Sequence, residues 1–151
     1  MRHERILTKH DSLLLVIDYQ EKLLKPFQQP HVFLDTCVKM IKFASIFEIP
    51  VLWTEQYPRG LGPTVERVRR ELHELSPVEK VSFSCFSEPS FIGGLSKTNR
   101  KQLIICGIET HICVEQTVLD ALKIGYLPHV VTDACASRRE RDHETGLRKM
   151  E

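Results

Sequence analysis

The sequence lacks the features that tie a protein to a membrane or to nucleic acid. The apolar run at residues 13–17 is far shorter than the roughly 20 residues that cross a bilayer, and the polar stretch before it does not have the layout of a signal peptide. Lysine and arginine total 21 while aspartate and glutamate total 20, so the net charge of +1 creates no field that attracts a polyanion. We therefore expect a cytoplasmic protein that binds neither nucleic acid nor membranes.

Metal, disulfide and nucleotide motifs are absent as well. The five cysteines form no C-x-x-C pair, and their odd number and scattered spacing favour free thiols. None of the seven histidines forms an H-x-H or H-x-x-x-H pair, and no glycine-rich phosphate-binding motif follows an apolar run. We expect no metal and no cofactor.

What the sequence does contain is a regular alternation of short apolar runs and helical patterns. Runs of branched residues predict four buried parallel strands, at residues 13–17, 50–54, 103–106 and 127–132, and a charged edge strand at 78–83. Helical patterns lie at residues 31–48, 64–75, 89–99 and 111–125, and another begins near residue 139. The alternation predicts one α/β domain over residues 1–151, with a doubly wound, mostly parallel open sheet in a Rossmann-like three-layer arrangement.

Four chemically useful residues follow or end these predicted strands. In open α/β sheets, ligands bind beyond the carboxyl ends of the strands, where strand order reverses. The first strand ends at Asp18, the edge strand carries Lys80, the fourth leads to Cys113, and the fifth ends at Asp133. We therefore expect an acid, a base and a thiol at one rim of the sheet.

Cys113 has two interpretations. It is predicted in the first turn of a helix, where free N–H groups and the macrodipole lower the pKa of a thiol and can also hold an oxyanion. The alternative is a buried cysteine that packs as a small hydrophobic residue. His111 is a poor partner for it, because residues two apart on a helix do not face each other.

The other two candidates also have structural alternatives. Asp18 is either a turn or capping residue or a base that accepts the thiol proton. Lys80 is either a solvated edge-strand lysine or a cation that favours ionised neighbours. The loops around them carry residues for an apolar substrate pocket, although ordinary packing explains them too; these residues are Trp53, Gln56, Tyr57, Phe83 and Phe86.

Three motifs in order, LLLVIDYQ, VEKVSFSCF and ICGIETHICVEQT, resemble the isochorismatase-like cysteine hydrolase family, in the branch of isochorismatase domain-containing hydrolases. The resemblance implies that Asp18 is the general base, Lys80 its electrostatic partner and Cys113 the nucleophile. It also implies a cis peptide bond between Ile108 and Glu109, which turns N–H groups toward an oxyanion near Cys113.

The same resemblance limits the chemistry. The segment WTEQYPRG has no histidine where nicotinamidases of the family carry an Asp-x-His metal cluster, so a metal-independent enzyme is expected. A cysteine nucleophile implies hydrolysis of a small amide or related acyl compound through a thioester. The alternative is a non-enzymatic scaffold or partner-binding module with an idle or redox-sensing Cys113.

The resemblance further implies a sheet in the order 3-2-1-4-5, with the family's sixth strand missing. We expect either a C-terminally truncated domain with an exposed fifth strand, or a fifth strand whose edge is covered by another subunit. A homodimer or larger homo-oligomer is also implied.

Overall fold

The computed structural model describes residues 3–151 and is built around one five-stranded sheet. The strands are β1 (Ser12–Ile17), β2 (Val51–Gln56), β3 (Val78–Lys80), β4 (Gln102–Ile108) and β5 (Leu127–Ala136). They are parallel and lie in the order β3-β2-β1-β4-β5. The predicted doubly wound fold and its strand order are confirmed.

Helices lie on both faces of the sheet. They are α1 (Glu21–Leu24), α2 (His31–Ile46), α3 (Pro58–Leu61), α4 (Glu66–Arg69), α5 (Pro89–Thr98), α6 (Glu115–Lys123) and α7 (Glu140–Met150). Short 3₁₀ turns span Arg70–Leu72 and Cys85–Ser87, and a π-helical turn spans Thr110–Val114. No helix among residues 3–151 has the length and apolar character needed to cross a bilayer.

Strand β1 shows why the central strands have continuous apolar sequences. Leu14 and Val16 pack with α2 and α4 in one core cluster, whereas Leu13, Leu15 and Ile17 pack with α5 and α6 in the other. Because successive side chains of a strand point to opposite faces, a strand covered on both faces is apolar at every position.

Three predicted boundaries are wrong. The helix predicted at residues 64–75 is only α4 and a 3₁₀ turn, because Val68 and Leu72 are the only buried apolar residues of this range and so narrow a stripe does not support a longer helix. Strand β3 ends at Lys80 rather than residue 83. Strand β5 continues to Ala136 after a register shift opposite Ile105 and Gly107, so Asp133 is exposed within the strand instead of ending it.

Strands β1 and β4 approach each other closely at their carboxyl ends, next to the candidate site. Ile17 pairs with Gly107, and a Cβ atom built on Gly107 would lie 2.5 Å from the Cβ of Ile17. Only glycine leaves room for this contact. As a result, the segments that follow the two strands begin side by side.

Candidate active site

Asp18 follows β1 directly, and its side chain is completely buried. Its backbone has a φ of 57°, a left-handed conformation that aspartate adopts more readily than most residues. The carboxylate oxygen Oδ1 accepts a hydrogen bond from Thr54 Oγ1 at 2.7 Å. Oδ2 lies 2.7 Å from Lys80 Nζ but has no well-aligned hydrogen bond among residues 3–151, so its contact with the ammonium group is chiefly electrostatic.

Lys80 is the last residue of β3, and its side chain is also completely buried. Besides Asp18, the ammonium group donates to Gln56 Oε1 at 2.5 Å and to the carbonyls of Ser82 and Phe83 at 3.1 Å. Burial acts to lower the pKa of Lys80, but the negative charge of Asp18 opposes it and the pKa is raised. The buried lysine is therefore a permanent cation with no exposed surface, not a solvated edge residue.

Cys113 completes a cluster with these two charges. It lies in the π-helical turn and is 6% exposed, and the charges of Asp18 and Lys80 both act on the pKa of its thiol, so the three side chains are neighbours. Burial raises the pKa of the Cys113 thiol to about 12; the charge of Asp18 adds to this effect, and the charge of Lys80 only partly opposes it. The resting thiol is thus protonated.

This result contradicts the lowered pKa expected from a helix start. The expectation considered only the local helix, whereas desolvation and the adjacent carboxylate both penalise a second negative charge. In addition, Cys113 precedes α6 in a separate π-helical turn.

The peptide bond between Ile108 and Glu109 is cis, at the position named from the sequence. The Glu109 side chain is 5% exposed and accepts three hydrogen bonds from Arg138: from its backbone N at 2.9 Å, Nε at 3.0 Å and Nη2 at 2.7 Å. Burial acts to raise the pKa of Glu109, but the hydrogen bonds from Arg138 outweigh it and the pKa is lowered. This ion pair anchors the chain just before the turn that carries Cys113.

Helix α7 packs against the same turn, and a histidine from each side makes a hydrogen bond near this contact. His111 Nδ1 lies 2.8 Å from Ser137 Oγ, and His143 Nδ1 lies 2.8 Å from Thr110 Oγ1. Gly146 permits this packing, because a Cβ atom there would lie 2.9 Å from the Cα of His111. His111 therefore supports the turn and does not face Cys113 as a base.

The five predicted pocket residues do not form one wall. Trp53 is 4% exposed within a core cluster, and Phe86 packs on aromatic rings with centroid distances of 5.2 and 5.6 Å. Tyr57 and Phe83 are exposed, and Tyr57 lines a cavity of about 350 Å³ together with Lys80. Gln56 accepts a hydrogen bond from Lys80 Nζ and is therefore a neighbour of the ion pair.

Sequence reasoning missed several polar contacts of the site. Thr54 donates a hydrogen bond to Asp18. The one feature of the sequence that could have indicated this contact is the position of Thr54 near the end of the neighbouring strand, where it pairs with Ile17. The backbone N–H of Cys85 donates to Thr117 Oγ1 at 3.1 Å, which ties the loop after β3 to α6. No cluster of three or more histidine, cysteine, aspartate or glutamate side chains suited to a metal ion occurs in the described part of the chain.

Comparison with known proteins identifies relatives of this chain. The family model for the isochorismatase domain matches residues 12–151. Human isochorismatase domain-containing protein 2 is 38% identical over 140 residues, which cover 92% of this chain and 66% of the human protein. The chain thus spans about two thirds of the length of the curated relatives it matches.

Solved structures agree with the fold. The MAR1 ribonuclease of Caenorhabditis elegans superposes with a TM-score of 0.88 at 36% identity, covering 95% of this chain and 74% of that one. The YcaC proteins of Escherichia coli and Pseudomonas aeruginosa both give a TM-score of 0.91, at 26% and 25% identity. Each alignment covers 99% of this chain, together with 75% of the Escherichia coli chain and 76% of the Pseudomonas aeruginosa chain. The former is described as an octameric hydrolase of unknown specificity, and the latter was solved with hexane-2,5-diol and covalent acrylamide.

Proposed function

Because the chain belongs to the isochorismatase family, we propose that it is a metal-independent cysteine hydrolase that cleaves a small amide or related acyl compound through a thioester on Cys113. The observation that carries the proposal is the completely buried ion pair of Asp18 and Lys80 beside the buried thiol of Cys113. Burying two charges costs free energy that a hydrophobic pair would not, so such a pair beside a nucleophile suggests a functional role.

In the first step, Asp18 takes the proton of Cys113 as the sulfur attacks the substrate carbonyl carbon. The oxygen Oδ2 is the proposed acceptor, because Oδ1 already accepts a hydrogen bond from Thr54. A C–S bond forms, and the carbonyl π electrons move to oxygen. Backbone N–H groups of the segment between the cis bond and Cys113 are the proposed donors to this oxyanion.

In the second step, the C–N bond breaks and the leaving nitrogen takes the proton from Asp18. The products are a free amine and a thioester on Cys113. Water then attacks the thioester while Asp18 accepts a proton, and the thiol leaves with that proton. The sum is one amide plus one water giving one carboxylic acid and one amine.

The relatives support parts of this proposal. Covalent acrylamide in the Pseudomonas aeruginosa neighbour is consistent with a reactive nucleophile in this fold, and the Escherichia coli neighbour is described as an octameric hydrolase. We accordingly propose a homo-oligomer for this chain too. The Caenorhabditis elegans relative is called a ribonuclease; a net charge of +1 gives this chain little attraction for RNA, so amides are the first substrates to screen.

A second candidate is a non-enzymatic, oligomeric scaffold or partner-binding module in which Cys113 is idle or senses oxidants. The observation that favours it is the nearly complete burial of a thiol whose pKa is about 12. The raised pKa does not exclude catalysis, because in the proposed mechanism Cys113 gives its proton to Asp18 during attack and the enzyme needs no resting thiolate.

The test is a screen of small amides with the wild type, Cys113→Ala and Asp18→Asn, followed by intact-mass analysis and peptide mapping. We expect wild-type turnover, an acyl adduct on Cys113, and loss of at least about 10³-fold in kcat for Cys113→Ala with an unchanged circular dichroism spectrum. An active Cys113→Ala protein would refute the mechanism. Absence of both turnover and adduct across the screen, RNA included, would favour the scaffold.

A further inference from the structure

We infer that Gln56, held in place by Gln20, is a positioning residue that directs the ammonium group of Lys80 toward Asp18. This inference rests on the proposed function and assigns a task in it to two neutral side chains. Lysine needs such a partner because its ammonium group is a point charge with three rotatable donors on a flexible stem.

The side-chain amide of Gln56 bridges Lys80 and the next residue. Its Oε1 accepts from Lys80 Nζ at 2.5 Å, and its Nε2 donates to the carbonyl of Val81 at 3.1 Å. Gln56 and Lys80 are also paired across β2 and β3, so the two side chains start from fixed neighbouring positions. The Nε2 contact fixes which end of the amide faces the lysine: the oxygen is presented, and the N–H groups point away.

Gln20 fixes the main chain of Gln56 from the opposite side. Gln20 is completely buried; its Oε1 accepts from Gln56 N at 2.6 Å, and its Nε2 donates to Gln56 O at 2.9 Å and to Gly62 O at 2.7 Å. Both amide protons of Gln20 are therefore used. A side-chain amide here makes the pair of hydrogen bonds that another strand would make, and it holds the end of β2 rigidly.

The neutrality of Gln56 matters as much as its position. Four acceptors surround the three protons of Lys80, and among them Asp18 alone is charged. The other titratable groups that face Lys80 are Cys85 and Cys113, with Glu88 further out. A second carboxylate at position 56 would share the charge of Lys80 and weaken its effect on Asp18 and on the thiol.

The experiment compares Gln56→Glu, which adds a charge at nearly constant shape, with Gln56→Met, which removes the acceptor. Gln116→Glu is the matched control, because it adds the same charge at an exposed position of α6, three residues from Cys113 in sequence. The substrate-independent readout is the rate of Cys113 alkylation by iodoacetamide at roughly pH 8 to 10, where the rate follows the thiolate fraction. The second readout is kcat and KM on the amide found in the screen.

We expect Gln56→Glu to slow alkylation of Cys113 about tenfold, because an added negative charge disfavours the thiolate. Gln56→Met should lower kcat about tenfold with little change in KM, and Gln20→Met should have a smaller effect in the same direction. Gln116→Glu should match the wild type in both readouts.

Wild-type alkylation rates in Gln56→Glu, or wild-type kcat in a folded Gln56→Met protein, would overturn the inference. The alkylation measurement needs no substrate, so it decides the role of Gln56 even if no amide is hydrolysed. Absence of amide turnover in the wild type itself would instead count against the proposed function. If Gln56→Glu does not fold, Gln20→Met provides the alkylation comparison, and an unchanged rate in that variant also counts against the inference.

Discussion

Replacement of Lys80 by methionine tests the claim that this lysine is the counter-charge of a completely buried carboxylate. Both side chains of the Asp18–Lys80 pair have no exposed surface, and the ammonium group lies 2.7 Å from Oδ2. Methionine retains much of the stem's apolar volume but removes the charge. Among residues 3–151, the variant therefore leaves the Asp18 carboxyl group with its hydrogen bond from Thr54 but without its buried counter-charge.

Breaking a buried ion pair by removing one partner costs about 3–5 kcal/mol, because the remaining charge is desolvated without compensation. Natural domains are stable by only about 5–15 kcal/mol, so Lys80→Met should remove a large fraction of the free energy of unfolding. Changing both residues, as Asp18→Asn with Lys80→Met, leaves no buried charge. The double variant should be more stable than the sum of the single effects predicts, by about 1–3 kcal/mol.

The free energies of unfolding are measured by urea denaturation followed by circular dichroism. The control is Lys42→Met, which breaks a pair with Glu71 at 3.6 Å whose side chains are 60% and 30% exposed. Exposed pairs contribute about 0–1 kcal/mol, so this change should leave the free energy of unfolding nearly unchanged. A Lys80→Met protein as stable as the Lys42→Met control, or strictly additive effects in the double variant, would refute the reasoning.

Three further predictions concern the support of the site. Gly107→Ala should lower the free energy of unfolding by about 1–3 kcal/mol because β1 leaves no room for a methyl group, and a melting curve superimposable on the wild type would contradict this. Thr54→Val, compared with Thr54→Ser, should cost about 1–3 kcal/mol by removing a hydrogen bond to the charged Asp18; equal stability of the two variants would exclude that contribution. The pKa of Glu109 is lowered by Arg138, so its stabilisation is complete above the ordinary value of 4.5 and is lost as the pH falls through the lower folded value. The stability difference between wild type and Glu109→Gln should accordingly shrink in acid, and a constant difference would show that the ion pair does not contribute.

The central part of the fold was predictable because burial on both faces leaves a direct mark on the sequence. Strands β1 and β4 are apolar after their first residues, Ser12 and Gln102, and the alternation of strands with helices specifies a parallel sheet. The end of β5 was missed because Asp133, directly after the predicted strand, is exposed and polar and so looks like the start of a loop. The continuation of the strand through Asp133 depends on a register shift against β4, and no local pattern reveals such a shift.

The meeting of Asp18, Lys80 and Cys113 was predictable for a similar reason. Parallel strands bring their carboxyl ends to one rim, so residues far apart in sequence become neighbours once the strand order is known. Gln20 and Arg138 could not be assigned, since the partners of glutamine and arginine side chains depend on contacts 29 to 42 residues away. The protonation of Cys113 was missed because desolvation is a tertiary property, whereas the helix-start rule considers only local structure.

The charge balance of the cluster connects the raised pKa of Cys113 with the proposed mechanism. In the resting state the charges are −1 on Asp18, +1 on Lys80 and zero on Cys113, so the buried cluster is neutral. Loss of the thiol proton to solvent would give the cluster a net negative charge in a medium of low dielectric, and the pKa of about 12 reflects that cost. Transfer of the same proton to Asp18 leaves the net charge at zero, because a neutral carboxyl group and a thiolate replace a carboxylate and a thiol around the same ammonium group. The arrangement therefore resists a free thiolate yet permits internal proton transfer, which is the property required of a nucleophile that reacts only when a carbonyl group is in place to take up the developing charge.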